Sequence, residues 1–103
     1  MSWHQVASLA DGERATPWLA ARVAGKDLAI ARLGDSWFAV EDECTHAGCP
    51  FSSDADLVEA TIVCNCHGSE FDLRTGAVLR GPAERPVRTF AVRVVGDRVE
   101  VDA

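Results

Sequence analysis

A chain of 103 residues with 48% hydrophobic and 25% charged residues has the size and make-up of one ordinary globular domain, which excludes a fibre or a disordered segment. A net charge of −6, with a single lysine at Lys26, excludes a partner bound through nucleic-acid phosphates, since those are held by clustered Lys and Arg. The start Met1-Ser-Trp-His-Gln-Val lacks the basic, apolar and small-residue parts of a secretion signal. No stretch approaches the ~18 apolar residues of a membrane helix, so a cytoplasmic protein without membrane attachment is expected.

Short apolar runs follow one another along the chain, at Val6–Leu9, Leu28–Leu33, Trp37–Val40, Thr61–Val63, Thr89–Val95 and Arg98–Val101, with Gly, Pro and Asp between them. Apolar side chains alternate at Phe90, Val92 and Val94 and again at Val99 and Val101. Gly96-Asp97 between these runs fits a tight hairpin turn. Pro17–Val23 reads as strand or turn, and Asp54–Ala60 has a helical flavour but is short for a helix. Residues 43–53, with Gly48, Pro50, Ser52 and Ser53, are loop by composition, as are Asn65–Ser69. An all-β, antiparallel protein follows, one domain over 1–103, with two elaborated loops at about 43–53 and 64–70.

The four cysteines fall as Cys44/Cys49 and Cys64/Cys66, each pair beside one of the histidines His46 and His67. Without an export signal this pattern reads as metal binding rather than as a disulfide scaffold. Cys44-Thr-His46 and, after 17 intervening residues, Cys64-Asn-Cys-His67 each offer a thiolate and an imidazole from one loop. Two such loops, brought together from adjacent hairpins, could enclose two irons and their bridging sulfides. Zinc on two Cys and two His is an alternative, although the pairing is a poor zinc-finger spacing. A cluster on all four cysteines is another; Cys44-x4-Cys49 starts the plant-type spacing, which then does not continue. His4 reads as a surface strand residue, and Trp3, Trp18 and Trp37 as packing residues.

The two loops resemble the Rieske family motif C-x-H-x(n)-C-x-x-H. That resemblance implies the Rieske iron-sulfur fold, an antiparallel β-sandwich base with a two-loop cluster-binding subdomain. It also implies one [2Fe-2S] cluster, with Cys44 and Cys64 on one iron and His46 and His67 on the other. Imidazoles in place of two thiolates raise the potential to about −150 to +300 mV. In detail the loops Cys44-Thr-His-Ala-Gly-Cys49 and Cys64-Asn-Cys-His-Gly-Ser69 are similar to those of the cytochrome bc-complex branch. From that branch come the expectations of a Cys49–Cys66 disulfide, of a hydrogen bond from Ser69 to a bridging sulfide, and of Gly81-Pro-Ala83 as a proline-containing loop covering the third side. Phe71 stands where high-potential members have a Tyr that donates to a ligand sulfur, so an intermediate potential is expected.

Small members of this family are electron carriers, which implies a monomeric one-electron carrier between a flavin-containing reductase and a terminal oxygenase. The chain itself is not expected to be an enzyme. Oxygen activation needs a mononuclear iron on two His and a carboxylate, and of three histidines the cluster takes two. A respiratory bc complex is disfavoured because its Rieske subunit carries an N-terminal membrane anchor. A redox sensor or a structural metal-binding module is the alternative from a different class. Eight carboxylates and no Lys or Arg lie between Glu41 and Asp72, so an acidic cluster tip is expected to meet a basic partner.

Overall fold

A computed structural model describes residues 2–15 and 17–103, with the backbone alone at Arg14. Met1, where the reading of the N-terminus begins, lies outside the described residues, as does Thr16. The chain runs through β1 (Trp3–Ser8), a 3-10 helix (Leu9–Arg14), β2 (Trp18–Val23), β3 (Lys26–Leu33), β4 (Ser36–Glu41), the single-turn helix α1 (Phe51–Asp54), β5 (Ala55–Val58), β6 (Thr61–Cys64), β7 (Glu70–Asp72), β8 (Val78–Arg80), β9 (Thr89–Phe90), β10 (Val92–Val95) and β11 (Arg98–Asp102). All described strand pairings are antiparallel, in three sheets ordered β1-β11-β10, β2-β3-β4-β9 and β5-β6-β7-β8.

The second sheet is a wall between two cores, and its central strand β3 shows why. Leu28, Ala29, Ile30 and Ala31 are all fully buried, yet successive strand side chains point to opposite faces. Leu28 and Ile30 join Ala7, Val99 and Val101 from the first sheet. Ala29 and Ala31 join Phe51, Ile62, Phe71, Cys44 and Cys64 on the other side. The two alanines leave room there for Trp18, whose ring stacks on Phe51 at 6.2 Å, while Phe51 meets Phe71 edge-on at 5.6 Å. Fully burying side chains such as Ile62 and Phe71 stabilises the fold by about 1.5–3 kcal/mol each. The third sheet is thereby anchored beneath the ligand loops.

Several segments differ from the sequence reading for physical reasons. Of Asp54–Ala60 only Asp54 is helical; Ala55–Val58 pair with β6, from Ala55 opposite Cys64 to Val58 opposite Thr61, and the pairing overrides helix propensity. Residues 43–53 are not all loop, because α1 starts at Phe51 and Asp42 caps it by accepting from the Ser52 N–H at 2.8 Å. The run Thr89–Val95 is two strands: β9 pairs with β4, the chain leaves that sheet at Ala91, and β10 pairs with β11. Pro17–Val23 supplies β2. Val95 and Arg98 are opposed across Gly96-Asp97, a two-residue hairpin.

Gly76 fastens the third sheet to the chain that returns from it. Its φ is +78°, its carbonyl accepts from the Val87 N–H at 2.8 Å, and a Cβ would collide with the Val87 carbonyl oxygen. Gly76→Ala should therefore combine left-handed backbone strain with an overpacked contact, a loss of roughly 2–5 kcal/mol. Denaturant unfolding should show a lower midpoint at unchanged slope, and an unshifted midpoint would refute the close approach.

Candidate metal centre

Two turns with the same hydrogen bonds carry the sequence-marked residues. In the first, Cys44 N–H donates to the Cys49 carbonyl at 2.8 Å and Gly48 N–H returns to the Cys44 carbonyl at 2.8 Å. In the second, Cys64 N–H donates to the Ser69 carbonyl at 2.9 Å and Gly68 N–H returns to the Cys64 carbonyl at 2.9 Å. Both glycines have positive φ, +75° and +82°. A cysteine followed four residues later by glycine, as in both family-like loops, is the signal in the sequence.

The loops set sulfur inside and nitrogen outside. Cys44 and Cys64 have free thiols and are only 2% and 1% exposed, whereas His46 and His67 are exposed, their ring centroids 5.0 Å apart and nearly perpendicular. Burial pushes the Cys64 thiol up from its ordinary value; backbone N–H groups of Cys66 and His67 aimed at its sulfur pull the other way, and the neighbouring Cys44 thiol adds to the rise. The buried Cys64 thiol resists ionisation by itself. A bound cation reverses this, since metal coordination deprotonates a thiol outright. The N–H groups around Cys64 are then suited to the thiolate.

The remaining two cysteines are joined, Cys49 to Cys66, with Cα atoms 6.7 Å apart. The sulfurs of Cys49, Cys64 and Cys66 lie within 4.8 Å of one another, but two of the three are in that bond and offer no thiolate. This speaks against a site built on all four cysteines. The donor set left between the loops, two buried thiols and two exposed imidazoles, is the one a [2Fe-2S] cluster of mixed ligation takes.

A third loop, from Gly81 to Pro86, closes the remaining side and begins with a cis Gly81–Pro82 peptide. Ala83 N–H donates to Ser69 Oγ at 3.0 Å, and Thr45 Oγ1 donates to the Arg85 carbonyl at 2.6 Å. Each pair of loops is thus tied: first to second by the disulfide, second to third by Ser69, third to first by Thr45 and Arg85. Phe71 is fully buried beneath the second loop.

The charge around the tip is mixed. Asp54 and Asp56 flank the second loop, where Asn65 N–H donates to the Asp54 carbonyl at 2.7 Å and the Asn65 amide to Asp56 at 3.2 Å. Asp42 and Asp72 are spent on backbone N–H groups, and Glu70 faces Arg80 at 3.6 Å. On the other flank Arg85 and Arg88, which the count over 41–72 leaves out, line a groove with Glu41, Glu43, Thr45 and Pro86. Sequence proximity missed them because the third loop is remote in the chain.

Residues 2–91 match the family model described as Rieske [2Fe-2S] domain. The chain is 37% identical over 101 residues to the anthranilate 1,2-dioxygenase ferredoxin subunit of Burkholderia cepacia, covering 97% of this chain and 91% of that protein. Among solved structures it is similar to the ferredoxin of carbazole 1,9a-dioxygenase from Nocardioides aromaticivorans IC177, with a TM-score of 0.85, 32% identity, and 98% of this chain and 97% of that one covered. It also aligns, with a TM-score of 0.84 and 32% identity, to a chain in a complex of reduced oxygenase and oxidised ferredoxin in carbazole 1,9a-dioxygenase, over 96% of this chain and 91% of that one. These relatives are dioxygenase ferredoxins, so the likeness to the cytochrome bc-complex branch drawn from the loops does not hold for the chain as a whole. Fold, sheets and cofactor class agree with this kinship, and the chain belongs to the Rieske [2Fe-2S] domain family.

Proposed function

We propose that this chain is the ferredoxin component of a multicomponent dioxygenase system, carrying single electrons from a flavin-containing reductase to a terminal oxygenase. The convergence of two buried thiols with two exposed imidazoles at one end of the molecule carries the reading. Cys44 and Cys64 would hold one iron and His46 and His67 the other, all within one domain spanning 1–103. The cluster, when bound, supplies one reversible electron per molecule. Around it the chain does three things: the sulfur side is shut off from water by Phe51, Phe71 and Ala83; the Cys66 and His67 N–H groups stabilise charge on the Cys64 sulfur; and the histidine rings give a partner a short path to the metal. Among the described residues no helix is long and apolar enough to cross a membrane, and a cytoplasmic monomer is part of the proposal.

Stopped-flow mixing of the reduced protein with a Rieske-type terminal oxygenase tests it. Electron transfer should be second order and slow as salt rises, because Asp54 and Asp56 on one flank and Arg85 on the other orient the encounter. A protein with an intact cluster that passes no electron to its own system's oxygenase would overturn the carrier role.

A further inference from the structure

Ser69 is the only buried polar side chain among the described residues, with no exposure at all. It lies two residues beyond His67, and its carbonyl already holds the Cys64 N–H. The hydroxyl oxygen accepts from Ala83 N–H at 3.0 Å. A hydroxyl has one proton to donate, and among the described residues no oxygen or nitrogen takes the proton of Ser69. A buried donor left without an acceptor is costly, so an acceptor has to be supplied by what the ligand loops enclose.

We propose that the backbone N–H of Ala83 is the positioning group for this proton: by occupying the acceptor side of Ser69 Oγ it turns the O–H toward sulfur of the cluster, so that the third loop sets the reduction potential through Ser69. The inference rests on the cluster assignment above. Its geometry is over-determined. The third loop is held at Ala83 by Ser69 and at Arg85 by Thr45, which lies between Cys44 and His46, and the Arg85 guanidinium returns to the Thr45 carbonyl at 3.5 Å. Ala83 itself is 4% exposed and has little freedom to drift. An O–H dipole fixed before the electron arrives stabilises the added negative charge without having to reorient, which favours the reduced state. A freely rotating hydroxyl would give part of that up.

A double-mutant cycle read as reduction potential decides the matter. Ala83→Pro removes the N–H and should lower the potential of the otherwise native protein, while in a Ser69→Ala background the same change should lower it less or not at all. Ala83→Gly keeps the N–H and should lower the potential less than Ala83→Pro does. Resonance Raman adds a second reading: bridging-sulfide modes should shift between H2O and D2O in the native protein, keep no such shift in Ser69→Ala, and show a weaker one in Ala83→Pro. If Ala83→Pro does not assemble, a semisynthetic chain with lactic acid at position 83 replaces the amide N–H by an ester oxygen and is read the same way. An equal drop in both backgrounds, no drop in either, or a D2O shift that survives Ser69→Ala overturns the proposal. Electron spin resonance of each reduced sample keeps the two questions apart, because a missing cluster signal in the native protein defeats the cluster assignment and not this coupling.

Discussion

Cys64→Ala protein is expected to emerge from iron-replete expression without colour, its iron and acid-labile sulfide at background. Cys64 ends β6 and is fixed by its register opposite Ala55 and by its N–H bond to Ser69, so no neighbouring side chain can swing into its place. Cys49 and Cys66 cannot stand in, being bonded to each other. Metal binding and folding share one free energy in such sites, so thermal stability should fall together with the metal. His67→Ala should likewise lose the cluster, whereas His4→Ala, on β1, should keep it. Full iron and sulfide in Cys64→Ala, or stoichiometric zinc without sulfide in the native protein, would show that the ligands lie elsewhere.

The second large effect is expected from the disulfide. Cys49 and Cys66 are 17 residues apart, and closing a loop of that length constrains the unfolded chain by about 3 kcal/mol in the chain-entropy model. The Cys49→Ser/Cys66→Ser double variant should therefore unfold at a clearly lower denaturant concentration. Because this bond ties the first ligand loop to the second, the variant should also release iron faster to a chelator. Thiol titration of the unfolded native protein should find two reactive thiols once the cluster is removed, and four would mean that the bond is absent.

Much of this was legible in the chain. Thiolate and imidazole within each loop, and the strand alternation of Val99 and Val101, are local patterns that one pass along the sequence can find. What escaped depends on partners remote in sequence. Ala55–Val58 become a strand because β6 lies alongside, and Thr89–Val95 divides because its two halves meet different sheets. Leu28–Ala31 reads as one apolar run, and only the two cores reveal that its alternate side chains serve different layers. Arg85 enters the tip through a loop about 40 residues from Thr45, so a charge count along one segment could not include it. The loop residues also pointed to a branch of the family that the whole chain does not follow, since six-residue matches at Cys44–Cys49 and Cys64–Ser69 report on the surroundings of a cofactor more than on descent.

The matched turns at Cys44–Cys49 and Cys64–Ser69 bear on how a cofactor is captured. Each turn is shaped by its own glycine and by two backbone bonds that close within six residues. Local bonds of this kind reduce the ordering entropy left for the ligands to lose when metal arrives. Incoming iron and sulfide then meet two shaped turns that the Cys49–Cys66 bond already holds side by side.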